Sequence, residues 1–175
     1  FEIRTKNGRN KGSSAGNNVL DAFFEEYKDN FEKAIEEARI LLDVKGNVYP
    51  CTLKRETFVG KLRDGHEIRG EDMLVEKAIY YNSPIEKISI VPEDIAANPG
   101  AVFAILEADK VILSQGSLYT SLIPNLAVKG IAKAVRDSSA KTIYIANIVT
   151  QRGETDRFTA RKHVEEVEKY LGDGV

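Results

Sequence analysis

Apolar residues first recur at helical spacing at Val19, Leu20, Phe23, Phe24 and Tyr27, behind Asn17 and Asn18, which can cap a helix, and the pattern stops at Asp29-Asn30. A second stripe of Phe31, Ala34, Ile35, Ala38, Leu41 and Leu42, with Glu and Lys opposite, predicts another helix ending before Gly46. From Asn47 the period falls to two. It predicts strands near Val48 to Leu53 and Thr57 to Leu62, a tight exposed turn at Asp64-Gly65, and a return strand from Glu67 to Arg69. His66, beside that turn, is expected to be solvated and outside any site. Ile85 to Val91 reads as a further strand closed by Pro92, and Asn98-Pro99 opens a helix carrying Val102, Ile105 and Leu106.

The last third alternates in a different rhythm. A strand from Val111 to Leu113, a glycine-containing loop, a helix around Ile131 to Val135, a strand from Ile143 to Ile148, a polar loop and a helix from Arg161 to Leu171 follow one another. That order predicts neighbouring parallel strands joined by a right-handed helical crossover. The fold class expected is therefore α/β, a Rossmann-like three-layer parallel sheet with an inserted β-hairpin, as one domain over residues 1–175.

Composition narrows the functions on offer. The 175 residues are 42% hydrophobic and 30% charged, enough apolar content for a packed core. Twenty-five basic and 27 acidic residues leave a charge of -2, so there is no basic field for nucleic acid or an anionic membrane. Cys51 is the single cysteine, and the apolar runs are far short of the roughly 20 residues that span a bilayer. A cytoplasmic protein is expected. The chain opens at Phe1, without Met, in a polar Gly/Asn/Ser-rich stretch, and sequence ahead of it is expected to be missing.

Candidate chemistry lies where parallel strands give way to helices, the usual ligand edge of such sheets. The first loop runs Ser114-Gln115-Gly116-Ser117-Leu118-Tyr119-Thr120-Ser121. Gly116 lets a ligand approach the backbone, and Ser117, Thr120 and Ser121 can either donate to phosphate oxygens or merely cap a helix. The loop is neither a Walker loop nor a dinucleotide fingerprint. The second loop, Asn147 to Phe158, holds Thr150, Gln151, Arg152, Gly153, Glu154, Thr155 and Asp156. Glu154 and Asp156 can reach Mg²⁺ through water and phosphate, or accept sugar hydroxyls; a charged surface turn is the other reading. On either reading Glu154 is expected on the surface, and both loops on one sheet edge. His66 and His163 have no visible nucleophile partner, and Tyr80-Tyr81 is expected to be packing.

Gly116-Ser117-Leu118-Tyr119-Thr120-Ser121, followed by Pro124-Asn125-Leu126, Val128 and Gly130-Ile131, resembles the signature of CofD-like proteins. Asn147, Thr150-Gln151, Gly153-Glu154-Thr155-Asp156, Thr159 and His163-Val164 are similar to that family in order and spacing, as are Gly16-Asn17 and Pro92-Glu93-Asp94. The resemblance covers nearly the whole chain and is closer to the gluconeogenesis-factor branch than to 2-phospho-L-lactate transferase. It implies a UDP-sugar-binding regulatory protein of central carbon metabolism and cell-wall morphogenesis. The alternative is an enzyme that passes phospholactate from a guanylyl carrier to a deazaflavin, with Mg²⁺.

By the same resemblance the family's glycine-rich nucleotide-binding strand and turn are lacking here. The ligand-binding set it implies is Asn17, Gly116, Ser117, Tyr119, Thr120, Ser121, Asn147, Thr150, Gln151, Glu154, Thr155 and Asp156. No catalytic residue and no protein metal ligand is assigned, Mg²⁺ being the one companion ion and no prosthetic group being expected. The partner is a nucleotide-linked small molecule, UDP-sugar or GDP-type, bound by a homo-oligomer. Two departures stand out: Ser114-Gln115 where the family shows Gly-Pro, and Arg157-Phe158 where it shows Gly-Tyr. A bulky Arg157 in place of glycine is expected to reshape the second loop.

Overall fold

The computed structural model describes residues 3–6, 13–28 and 30–172. The chain divides into two compact units, Phe1–Leu53 and Lys54–Val175.

In the first unit α1 (Ala15–Glu26) packs on α2 (Phe31–Leu41), with the ring of Phe24 edge-on to Phe31 at 5.8 Å. The cap of α1 is Ser14, whose hydroxyl accepts the Asn17 amide at 3.1 Å, so the helix starts ahead of Asn17 and Asn18 rather than behind them. Asn30, at the boundary where the first pattern was expected to stop, caps α2 by accepting from the Lys33 amide at 3.1 Å. Asp29, where the first helix was expected to stop, lies outside the described residues. Residues 47–53 form no strand, against the period-two pattern. They join no sheet among the described residues, and apolar alternation alone does not hold a strand in water.

The second unit begins with the hairpin. β1 (Thr57–Leu62) lies between β2 (Glu67–Arg69) and β3 (Ile85–Val91), antiparallel to both. The turn is tight, the Leu62 amide donating to the His66 carbonyl at 2.8 Å, with Gly65 at φ +96° where a side chain would be strained. His66 is about half exposed; its ring stacks on Tyr81 at 4.0 Å and its Nδ1 lies 3.1 Å from the Asp64 carboxylate. A helix absent from the sequence pattern, α3 (Leu74–Tyr80), follows β2 and covers the hairpin: Leu74, fully buried, reaches the backbone of Gly60 on β1. Seven residues give fewer than the three or four turns over which a helical stripe becomes legible.

Asn98 caps α4 (Pro99–Leu106) through the Gly100 amide at 2.9 Å. Then come β4 (Lys110–Leu113), a π-helical turn over Leu118–Leu122, α5 (Ile123–Ala127), α6 (Ile131–Asp137), β5 (Lys141–Tyr144) and α7 (Ala160–Leu171). β4 and β5 pair in parallel, Ile112 opposite Ile143, as the alternation predicts. β5 ends at Tyr144, with one further bond from the Ile145 amide to the Leu113 carbonyl at 2.9 Å, whereas Ile148 is fully solvent-exposed. Among the described residues the protein is thus mixed α/β with two small sheets. A wide three-layer parallel sheet is not formed among the described residues, because the earlier strands are joined by a hairpin and neighbour antiparallel, and only β4 and β5 are joined by a helical crossover. The core of this unit gathers Leu62, Leu74, Ile88, Leu118, Tyr119 and Ile123, each almost wholly buried.

Gly60 is the position where that packing is least forgiving, since a Cβ there would lie 2.3 Å from Leu74 Cδ1. Gly60→Ala is expected to destabilise the fold by about 1–3 kcal/mol, the usual cost of overpacking. Urea denaturation of the purified variant measures this, and a loss under about 0.5 kcal/mol would show that Leu74 gives way freely.

Candidate functional site

β4 ends at the buried Leu113, and the chain emerges as the exposed Ser114, Gln115 and Gly116 before turning into the π-helical segment. Beyond β5 the second loop returns alongside it. Three hydrogen bonds tie the loops together. The Asn147 side-chain amide donates to the Gly116 carbonyl at 2.8 Å, the Gln151 side-chain amide to the Ser117 hydroxyl at 2.9 Å, and the Tyr119 backbone N–H to a Glu154 carboxylate oxygen at 3.1 Å. Asn147 also donates to the Gln151 side-chain oxygen at 3.1 Å, so the two amides act as one clamp. The loops do lie together, as expected from two strands that pair in parallel.

Glu154 is not a surface residue. It is 6% exposed, and the Ser117 and Thr120 hydroxyls lie close enough to its carboxylate to favour the charged form. Burial pushes its carboxyl above the usual range, outweighing the Tyr119 amide and the two hydroxyls, which favour the charged form; the nearby charge of Glu71 raises it further. The carboxylate therefore occupies the amide-and-hydroxyl nest at the start of the π-helical turn, the place that the sequence assigned to a ligand phosphate. The alternative reading of Ser117 and Thr120, local capping, is not met: Ser117 stands at the start of the π-helical turn without a side-chain cap bond, and the acceptor is Glu154.

The rest of the second loop is a knot. The Thr155 hydroxyl accepts from the Gln151 amide at 2.8 Å, the Thr155 amide donates to the Gln151 carbonyl at 2.8 Å, and an Asp156 carboxylate oxygen accepts from the Gly153 amide at 2.7 Å. Gly153 sits at φ +84° with its open side against α3, where a Cβ would meet Ile79 Cγ1 at 2.8 Å. Arg157 takes φ +62°, the left-handed region that favours glycine. The resemblance places a glycine here, and Arg157 keeps a glycine-like backbone conformation at a cost of about 1–2 kcal/mol. Phe158, next along, lies edge-on to both Tyr119 and His163, at 6.4 and 5.3 Å.

Beneath the first loop, the buried Tyr119 ring faces α7. Burial, with the neighbouring Glu166 carboxylate, pushes its phenol well above the ordinary tyrosine value. Burial alone would raise Glu166 too, but Lys169 at 2.6 Å and Lys162 at 3.0 Å hold it below the usual carboxylate range. Tyr170 on the same helix accepts the Ile88 amide through its hydroxyl at 2.7 Å. The periodicity of α7 masked Glu166, since an acid within the stripe of His163, Val167 and Leu171 reads as a solvated charge. His163 is buried, its Nδ1 3.0 Å from the Thr159 carbonyl, in a structural role.

Of the residues proposed to bind ligand, Gly116, Ser121, Thr150 and Asp156 are exposed, and Ser117, Thr120, Asn147 and Gln151 are half-buried. Tyr119, Glu154 and Thr155 are buried within the loops' own structure. Asn17 is exposed in the first turn of α1, in the first unit. Among the described residues no group of three or more His, Cys, Asp and Glu side chains is placed to hold a metal ion, and no helix is long and apolar enough to cross a membrane.

Two outcomes follow from the burial of Glu154. Glu154→Ala strands the Tyr119 amide without an acceptor and is expected to cost about 1–3 kcal/mol in urea denaturation. The charge itself acts in a pH-dependent way. A carboxyl raised in the folded state contributes stability that is fully present below the usual carboxylate range and lost as pH rises through its raised value. Glu166, held low, does the reverse and loses its contribution on acidification. Glu154→Gln removes only the first effect. The stability difference, variant minus parent, should therefore be more positive at about pH 7.5 than at about pH 4; a difference that does not change with pH would refute the charged, buried carboxylate.

The sequence model of the family described as 2-phospho-L-lactate transferase CofD matches residues 1–175. A relative from Clostridium acetobutylicum is 45% identical over 175 residues, 100% of this chain and 39% of its own length. The gluconeogenesis factor of Bacillus subtilis is 35% identical, with 99% of this chain and 54% of the relative covered. A crystal structure of a UPF0052-family protein from Bacillus halodurans superimposes with a TM-score of 0.89 at 33% identity, covering 99% of this chain and 55% of that one. The chain thus spans about half the length of the relatives it matches. With the family's match running from the first residue to the last, and with gluconeogenesis factors as its relatives, this chain belongs to the CofD family.

Proposed function

We propose that this chain contributes the ligand-facing loops of a nucleotide-sugar-binding regulatory protein of the gluconeogenesis-factor type, acting in central carbon metabolism and cell-wall morphogenesis. The observation that carries the reading is the cross-bonding of the two loops through Asn147, Gln151 and Glu154. It leaves the exposed Ser114, Gln115, Gly116, Ser121 and Thr150 on a preformed polar surface after a parallel strand pair, where α/β proteins take their ligands. The UDP-sugar is the ligand proposed, with Mg²⁺ arriving on its phosphates, since the Glu154 and Asp156 carboxylates are engaged within the protein. The protein works in the cytoplasm, as a homo-oligomer.

The finer fold belongs to the same proposal. β4 and β5 form the edge of a Rossmann-like three-layer parallel sheet whose other strands lie in the remaining half of proteins of the relatives' length. Ile112 and Ile145, 55% and 43% exposed, support it, because a two-stranded sheet leaves uncovered what further layers would bury. The description of the matching family model favours a second reading, the transfer of phospholactate from a guanylyl carrier to a deazaflavin. On that reading the backbone amides of the first loop and a phosphate-bound Mg²⁺ would meet the developing charge.

Calorimetry of the full-length protein with UDP-N-acetylglucosamine, GDP and a deazaflavin, with and without Mg²⁺, separates the two. Saturable binding of the UDP-sugar without turnover is expected; phospholactate transfer, or no binding of the UDP-sugar, would overturn the regulatory reading. Ser117→Ala removes the hydroxyl to which Gln151 donates and should weaken binding by about 2- to 10-fold through loosening of the clamp, the value of one hydrogen bond. Gly116→Val should weaken it more, since any side chain there blocks the ligand's approach and presses on Ser121, 3.3 Å from an added Cβ. Folded variants of both that bind like the parent would make the loops scaffolding.

A further inference from the structure

The second loop carries four charged side chains between Gln151 and Phe158, and the structure sorts them by sign. Both carboxylates are engaged by backbone amides, the buried Glu154 by Tyr119 and the exposed Asp156 by Gly153. Arg152 and Arg157 are both exposed, and among the described residues neither makes an ion pair or a side-chain hydrogen bond. Arginines beside two acids in one short loop would ordinarily pair with them. Here the acids are held in place by backbone amides, so the cations stay available to something outside the protein.

The mount is also rigid. Residues 151–156 are closed by hydrogen bonds from Gln151 to Thr155 and from Gly153 to Asp156, and the Phe158 amide donates to the Thr155 carbonyl at 3.0 Å. Arg157 leaves that knot from a left-handed backbone, φ +62°, a conformation imposed by the loop rather than preferred by the residue. Little ordering of the backbone remains to be lost when an anion arrives, and a guanidinium suits the oxyanion fork of a phosphate or carboxylate better than any other side chain.

We infer that Arg152 and Arg157 form an anion-recognising rim on the second loop and grip the negatively charged part of the ligand that the paired loops accept. This rests on the binding role proposed above and inverts the charge logic of the sequence, in which Glu154 and Asp156 met the ligand's hydroxyls or its metal. The chemistry recognised is an oxyanion, either the diphosphate bridge or an acid group on the sugar. The two are distinguished by comparing UDP-N-acetylglucosamine with UDP-glucuronate and by using inorganic pyrophosphate as a competitor.

The test titrates those probes into full-length parent, Arg152→Gln, Arg157→Gln and Arg157→Lys proteins at low and moderate salt. Each Gln variant is expected to bind about 10-fold or more weakly, with a melting temperature equal to the parent's, because neither side chain has a partner to lose. Arg157→Lys should keep more affinity than Arg157→Gln, and salt should weaken the parent more than the variants. Weakened displacement by pyrophosphate in the Gln variants assigns the rim to the diphosphate, whereas a loss confined to UDP-glucuronate assigns it to the sugar acid; either supports the inference. Unchanged affinity in both Gln variants while the parent binds would overturn it and leave the binding role standing. Equal losses in Arg157→Lys and Arg157→Gln would also overturn it, pointing to loop geometry rather than charge. Failure of the parent to bind any probe would overturn the binding role itself.

Discussion

The arrangement of both loops depends on one buried carboxylate. Glu154 crosses from the second loop to accept the Tyr119 amide at the start of the π-helical turn, with the Ser117 and Thr120 hydroxyls around it. An amide buried there without an acceptor costs more than an ordinary hydrogen bond returns, so the position needs an acceptor from elsewhere in the fold. Supplying it from the neighbouring loop makes the geometry of each loop depend on the other. The clamp formed by Asn147 and Gln151 then holds Gly116 and Ser117, and the exposed groups of the first loop are presented from a fixed frame.

That frame is anchored from below as well. Tyr119 is shared between the loops and α7, its backbone held by Glu154 and its ring set against Glu166. α7 in turn reaches β3 through the Tyr170 hydroxyl and the Ile88 amide. The same amide lies on the strand edge that β1 leaves unpaired, so a single tyrosine both satisfies an edge donor and ties the antiparallel sheet to the helix under the loops. On the other side Gly153 packs against α3, the short helix that also fills the space above Gly60. Two glycines without room for a Cβ thus set the loop and the hairpin against one helix.

Much of the local structure was legible in the chain. The caps Asn30 and Asn98, the Asp64-Gly65 turn, the strands over Thr57–Leu62 and Ile85–Val91, and the parallel strand pair all follow from spacing and from turn chemistry. Those signals act over a few residues, where side-chain period and backbone preference agree. The failures have physical reasons too. Residues 47–53 alternate as a strand does but join no sheet among the described residues; α3 is too short to show a stripe; and the cap of α1 fell on Ser14 because Asn17 and Asn18, a turn later, offer the same capping chemistry.

By itself the sequence determined the two loops, their places after β4 and β5, and the family to which their residues belong, because each rests on local order along the chain. Only the tertiary structure decided which groups of those loops face outward. Glu154, Thr155 and Asp156 read alike as polar loop residues, yet two are buried, and both carboxylates are spent on backbone amides. Arg152 and Arg157, left out of the expected binding set, are exposed and make no ion pair or side-chain hydrogen bond among the described residues. Whether a charge serves the fold or a ligand depends on which unpaired amide lies within about 3 Å of it, and for Glu154 that distance is set by the packing of two strands, Lys110 opposite Lys141, rather than by its neighbours in the chain.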